Sequence, residues 1–216
     1  MRLGRKIGSA CVLALAYAGL ASPAQAAVYT GTGGSFADTA VAGVPAEVTF
    51  QIPVSGVGQN IQSINSVTWT GLTHTWVGDA NFTLVSPNGT QLEIWGPPDL
   101  DSSNVNGTYV MVENPAAPTL DETSVPLGDN DTIPSGTYAI TKFLSTTAPG
   151  TRTSFAPLLG GPVDGTWTLR VRDYGVGDTG GLTSWSLDVT PVPEPTTLGL
   201  LSAAGLLALR RRRRVN

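Results

Sequence analysis

The sequence predicts an all-β domain of the sandwich class. Glycine (26) and proline (16) are abundant among 216 residues. With Ser, Thr and Asn they separate short apolar runs, the composition of many strands joined by turns. Those runs alternate with period two, and no central stretch sustains the period of about 3.6 expected of an amphipathic helix.

Taken in order, residues 47–54 place Val48, Phe50, Ile52 and Val54 on one face, the pattern of a strand with one buried and one wet side. Between residues 66 and 76 the phase slips. Val67 and Trp69 share one parity, Leu72, His74 and Trp76 the other, with Gly71 at the change. That predicts a β-bulge or bend. Residues 81–85 and 91–95 flank Ser86-Pro87-Asn88-Gly89-Thr90, a hairpin in which Pro87 sets φ and Gly89 is free to take φ > 0. From 96 to 134 the chain is rich in turn residues, and one short strand is expected around 109–112. Residues 166–172 alternate through Trp167, Leu169 and Val171; residues 184–189 alternate through Trp185, Leu187 and Val189. The two tryptophans read as large inward anchors.

Both ends have a different character. Arg2, Arg5 and Lys6 precede a short apolar run at 7–20, and Ala24 and Ala26 supply the small residues a signal peptidase needs. This order is a secretory signal peptide cleaved after Ala26. A first transmembrane helix is the alternative, but the run falls short of the ~20 residues a bilayer core requires. The one cysteine, Cys11, lies within the run, so the mature chain has neither disulfide nor thiol chemistry. At the other end Val192-Pro193-Glu194-Pro195 leads into an apolar run at 196–209, then Arg210, Arg211, Arg212, Arg213 and Arg214. The arginines would stay cytoplasmic with everything upstream outside, in agreement with the leader. Small residues in the run suit a helix that packs against a membrane partner.

This tail resembles PEP-CTERM, a sorting signal of certain Gram-negative bacteria. The resemblance implies processing by exosortase, a membrane transpeptidase-like protease, with Pro193, Glu194 and Pro195 as recognition residues. A plain tail anchor behind a Pro-rich linker is the alternative. The expected organisation is a signal peptide at 1–26, a linker at 27–44, the sandwich at 45–190 and the sorting tail, with its hydrophobic helix, at 191–216.

The formal charge of −4 conceals an uneven distribution. Between 27 and 190 the only bases are Lys142, Arg152, Arg170 and Arg172, against fifteen acids, a net of −11. No basic patch can form, which excludes a nucleic-acid partner. Such acidity suits an extracellular calcium binder, and equally suits solubility alone.

A second resemblance runs through residues 45–190. His74-Thr75-Trp76-Val77-Gly78-Asp79, Phe82-Thr83-Leu84 and Ser86-Pro87-Asn88-Gly89-Thr90 come first. Asp121-Glu122, Pro134-Ser135-Gly136-Thr137-Tyr138 and Ser154-Phe155 follow. Then come the run from Gly165 through Trp167 to Asp173, Gly177-Asp178-Thr179-Gly180-Gly181-Leu182 and Trp185-Ser186-Leu187. Together they resemble the P domain (P/Homo B), a jelly-roll β-sandwich attached to subtilisin-like proprotein convertases and many bacterial secreted proteases. Ala80 departs from the pattern, which has Leu there. By carry-over His74, Gly78, Asp79, Pro87, Gly89, Trp167, Asp173, Gly180 and Trp185 are structural motif residues. Gly78, Gly89, Gly165 and Gly180 are expected where turns need freedom, and Asp79 and Asp173 where loops are closed by N–H bonds.

Catalytic chemistry finds little footing. His74 is the only histidine, so a Ser-His-Asp triad would have to use it, and it sits in a strand motif without a nucleophile elbow. One His and no mature Cys cannot build an ordinary zinc site. Calcium is the candidate cofactor. Asp99/Asp101 and Asp129/Asp131 have Asp-x-Asp spacing but do not continue as an EF-hand; Asp79, Asp121, Asp173 and Asp178 are the first candidates. Trp76, Trp95, Tyr109 and Tyr174 fall on or near expected loops, where they would stack on sugars or cap the core.

The expected protein is therefore no enzyme. It is an exported surface or matrix protein, held transiently at the inner membrane, processed by signal peptidase and exosortase, and able to meet exopolysaccharide. The alternatives are an accessory or relative of a subtilisin-like serine protease, with any endopeptidase label inherited from the P domain, and a calcium-dependent carbohydrate-binding module.

Overall fold

The computed structural model describes residues 25–42, 44–96, 102–120, 131–142 and 151–193. The leader up to 24, the tail from 194, Gly43 and the stretches 97–101, 121–130 and 143–150 lie outside them. The described residues form strands and two short 3-10 turns, at Val77–Asp79 and Ala156–Leu158. The strands are β1 (Ala27–Ser35), β2 (Ala46–Val54), β3 (Ile61–His74), β4 (Ala80–Val85), β5 (Gln91–Trp95) and β6 (Asn104–Val112), then β7 (Thr132–Ile133), β8 (Gly136–Ala139), β9 (Thr141–Lys142), β10 (Thr151–Arg152), β11 (Gly165–Asp173) and β12 (Gly180–Pro191).

Two sheets face one another. The larger runs β1-β12-β3-β6-β7, with β8 also on β6; the smaller runs β2-β11-β4-β5, and β9 pairs with β10 apart from both. The period-two runs supply the contact. Phe50, Ile52 and Val54 of β2 and Trp167, Leu169 and Val171 of β11 turn inward against Trp69, Trp185, Leu187 and Val189 of the larger sheet. Trp69 and Phe82 bridge the layers with ring centroids 4.4 Å apart. One side of each strand is thus removed from water, the main favourable term in assembly.

The jelly-roll character lies in how the ladders continue. β12 pairs with β3, and β11 pairs with β4. The chain passes from β3 to β4, and from β11 to β12, by changing sheets. The antiparallel pair β3·β12 therefore rounds a corner and carries on as β4·β11. At Gly71, φ is +62° and the β3·β6 register shifts between Trp69 and Leu72. This bulge lets Val67 and Trp69 on one phase and Leu72 and His74 on the other all point inward. The hairpin is also present: β4 pairs with β5, Gly89 has φ +85°, and the Gly89 N–H donates to the Ser86 carbonyl at 2.9 Å.

Two expectations about elements need correction. The stretch 27–44 holds β1, an edge strand paired with β12 from Ala27↔Val189 to Ser35↔Gly181. Its glycines hide the alternation that would mark a strand, and they are what allow it there. A Cβ on Gly31 would stand 2.7 Å from Ile52 Cγ1 and 3.1 Å from Trp185 Nε1. The short strand expected at 109–112 is the end of β6, which begins at Asn104 and lies inside the larger sheet. Asn104, Asn106 and Gly107 have weak strand propensity; pairing of 105–107 with 72–74 of β3 overrides it.

A truncation distinguishes a structural β1 from a linker. Removing residues 27–35 bares one edge of β12 and should lower the melting temperature by at least ~4 °C in a circular-dichroism melt, since losing ~2 kcal/mol or more shifts a domain of this size that far. An unchanged melt would mean that β1 contributes nothing.

Candidate functional site

The corner where the ladders change sheets gathers most of the candidate residues. His74 ends β3, the 3-10 turn at Val77–Asp79 follows, Asp173 ends β11, and the loop 174–179 leads into β12. His74 and Asp173 are both buried, at 2% and 1% exposure, and His74 Nε2 lies 3.4 Å from Asp173 Oδ2. The Trp76 N–H donates to His74 Nδ1 at 3.2 Å. An acceptor at Nδ1 places the ring proton on Nε2, directed at the carboxylate. Asp173 Oδ1 meanwhile accepts the Gly175 N–H at 3.1 Å. Both nitrogens and both oxygens are thus engaged, as burial of polar atoms demands.

Asp79 stands beside this pair. Its backbone carbonyl accepts the Tyr174 N–H at 2.9 Å, which ties the two halves of the corner together. Its carboxyl is pushed up to about 6 from 3.8 by desolvation, by the charge of Asp178 and a hydrogen bond with it, and by the charge of Asp173, against a smaller opposing effect of His74. Two carboxyls close together favour sharing a proton. Gly175 packs on Asp79 so closely that a Cβ there would overlap its carboxyl. Thr75 Oγ1 donates to Asp178 Oδ1 at 2.9 Å and accepts the Thr179 N–H at 3.2 Å.

Gly180 closes the corner from below. A Cβ there would come within 2.5 Å of His74 Cδ2, 2.6 Å of Phe36 Cδ2 and 2.7 Å of the Thr73 carbonyl. Gly180 therefore serves close packing, and Gly78 is buried in the 3-10 turn; of the four, positive φ belongs to Gly89 and Gly165, at +85° and +122°. Gly165 sits against Pro87, another motif residue. Trp167 Nε1 donates to the Val163 carbonyl at 3.0 Å, and Trp185 is fully buried.

Above the corner an open cleft of about 390 Å³ is lined by Thr73, His74, Thr75, Asn106, Thr132 and Thr179, with Asn104, Val105 and Gly180.

The four calcium candidates divide. Asp79, Asp173 and Asp178 do come together, and Asp121 lies outside the described residues, as do Glu122, Asp99, Asp101 and Asp129. Asp131 uses its carbonyl to accept the Asn104 N–H at 2.7 Å. Asp173 spends both oxygens on His74 and Gly175. Asp79 and Asp178 alone cannot supply the roughly six to eight oxygens that calcium takes, and among the described residues no group of three or more ligand side chains assembles. Among the described residues the calcium set is therefore incomplete, and Asp121 is not one of them.

Two of the four aromatics expected near loops are core residues. Trp95 and Tyr109 are fully buried, with Trp95 Nε1 donating to the Leu120 carbonyl at 3.0 Å and the Tyr109 hydroxyl to the Ile133 carbonyl at 2.7 Å. Of the two roles open to them, stacking on sugars and capping the core, these two take the second. Trp76 is partly buried, and Tyr174 is 38% exposed. Two loop-closing carboxylates escaped the sequence. Asp164 accepts the Val57 and Gly58 N–H groups at 3.0 and 2.7 Å, and Asp38 accepts that of Gly177. Their partners lie over one hundred residues away in the chain, so no local pattern marks them.

Comparison with known proteins agrees with the geometry. Residues 133–189 match the proprotein convertase P-domain family, and residues 191–214 match the PEP-CTERM protein-sorting motif. The matched P-domain segment contains β11 and β12, which pair with β4 and β3, the strands bearing the first half of the motif. The motif at 191–214 implies an exported protein, anchored transiently at the membrane and processed by exosortase. Of that tail, Pro193 is described, while Glu194, Pro195 and Arg210 to Arg214 lie outside the described residues, as does Ala24 of the leader; Ala26 is exposed just ahead of β1. Among the described residues no helix is long and apolar enough to cross a membrane. No curated protein matches the chain. Among solved structures, a serine protease of Aeromonas sobria is 17% identical, with 78% of this chain and 27% of that one covered at a TM-score of 0.40. The same protease with its chaperone gives 17%, 77%, 27% and 0.37. The chain spans about a quarter of the length of these proteins.

Two stability measurements follow from the corner. With a folded value of about 6 above the usual 3.8, Asp79 holds a proton in the folded chain that the unfolded chain has already lost. Its contribution to stability is therefore greatest below pH ~4 and declines as pH rises to ~6. Asp79→Asn should raise the melting temperature at pH 7 and flatten its dependence between pH 4 and 6; an unaltered slope would reject this. Asp173→Ala leaves the His74 Nε2–H and the Gly175 N–H without acceptors and should cost about 2 kcal/mol or more in urea denaturation.

Proposed function

We propose that the chain is an exported, exosortase-processed protein of the cell surface or extracellular matrix of a Gram-negative bacterium, with a non-catalytic P-domain-like sandwich. The observation that carries this reading is the junction at residues 191–193. Strand order runs to Pro191, the Val192 N–H still donates to the Asn60 carbonyl at 2.8 Å, and the sorting motif begins at 191. The domain is thus joined directly to its address, with no further domain between them.

The proposed lack of catalysis is supported by the commitment of His74. With Nδ1 taken by Trp76 and Nε2 by Asp173, neither nitrogen is left to accept a proton from a serine hydroxyl. The P-domain match at 133–189 favours a second reading, an accessory that serves a secreted serine protease supplied by another chain. Exopolysaccharide is the proposed matrix contact. Calcium would need ligands beyond Asp79 and Asp178, and Asp121 is the remaining candidate.

Mass spectrometry of the protein isolated from its native host tests the reading. The expected species begins near Ala27 and has lost the arginine tail by cleavage near Pro193, Glu194 and Pro195. An intact chain recovered from the cytosol would overturn it. The purified protein should hydrolyse no peptide, whereas turnover abolished by substitution of one of its own residues would replace the non-catalytic reading.

A further inference from the structure

We infer that the cleft above His74 is a binding site for a short segment of neutral glycan. The argument starts from the lining. Thr73, Thr75, Asn106, Thr132 and Thr179 present hydroxyl and amide groups, Val105 is buried, and among the described residues no Asp, Glu, Lys or Arg lines the cleft. The side chains of Asn106, Thr132 and Thr179 are exposed and form no hydrogen bond among the described residues. An amide and a hydroxyl can each donate and accept, which matches the vicinal hydroxyls of a sugar. A peptide would bring apolar or charged side chains for which the cleft has no complement. With a net charge of −11 between residues 27 and 190, and Asp178 bonded to Thr75 at the rim, an acidic polysaccharide would be repelled.

The walls are built to hold this shape. Thr73, Asn106 and Val105 lie on paired strands, with Thr73↔Asn106 and His74↔Val105 in register, and Asn104↔Thr132 extends the wall to β7. Sites on strands keep their geometry better than sites on loops. The volume, about 390 Å³, lies in the range of small-ligand sites. Position adds a further point. β12 runs from Gly180 at the cleft to Pro191, where the sorting motif begins, about 36 Å at ~3.3 Å per residue. The cleft is therefore at the end of the domain remote from the attachment of the tail. Among the described residues no Trp, Tyr or Phe lines the cleft and the proposed binding requires no metal, which separates this site from a calcium-dependent, ring-stacking one.

The test uses the full chain in a zwitterionic detergent with EDTA, followed by amide NMR. Cellotetraose, maltotetraose and mannotetraose are the probes; trigalacturonate and a Gly-Ser peptide are the controls. At least one neutral tetrasaccharide should give saturable shifts at Thr73, Asn106, Thr132 and Thr179. Asn106→Ala and Thr132→Val should each weaken binding at least ~5-fold, the loss of about one hydrogen bond, with the melting temperature retained. Absence of shifts with all three sugars, shifts located elsewhere, binding only of the controls, or undiminished binding by both variants would overturn the inference. None of these outcomes depends on where the tail is cut, so the export reading stands or falls separately.

Discussion

A buried imidazole held between a backbone N–H and a buried carboxylate pins the point at which both strand ladders leave one sheet for the other. His74 closes β3 and Asp173 closes β11, so their contact joins the two sheets where the chain must turn. Neither group tolerates isolation at that depth, because a buried polar atom without a partner costs more than a made bond returns. The pair therefore specifies one geometry for the corner. The rest of the corner follows from it: Gly180 must lack a side chain to admit the ring, and Gly175 must lie against Asp79.

That corner is also where the domain concentrates charge. Asp79, Asp173 and Asp178 are brought together by strands from both halves of the chain, and the partly buried Asp79 answers by holding its proton more tightly. The arrangement is tolerated because Asp173 accepts hydrogen bonds from His74 and a backbone donor, while Asp178 leans on Thr75. A cluster of acids thus reads as a structural knot first. The neutral, hydroxyl-rich cleft beside it has the spare hydrogen-bonding capacity that the knot lacks.

The two outermost long strands of the described chain, β1 and β12, lie side by side, with Ala27 opposite Val189. Cleavage after Ala26 and beyond Pro193 would leave every described strand and core residue in place. The sandwich stands on four fully buried tryptophans and their neighbours, without the help of a disulfide, since the one cysteine precedes residue 27. A domain of this size can bury enough apolar surface for that.

Much of this was legible in the amino-acid order because it is local. Alternation in β2, β11 and β12, the phase slip at Gly71, the hairpin at 86–90 and the terminal signals each depend on neighbours within a few residues. The family motifs likewise named His74, Asp79, Asp173 and Gly180. What only the tertiary structure decided depends on distant partners. β1 is a strand because its glycines fit beside Trp185; Asn104 to Gly107 are extended because β3 pairs with them; Trp95 and Tyr109 are interior because their strands are. Asp38 and Asp164 close loops more than one hundred residues away. A periodic pattern reports which face of a strand is apolar, whereas the identity of the surface it meets is a property of the assembled sheets.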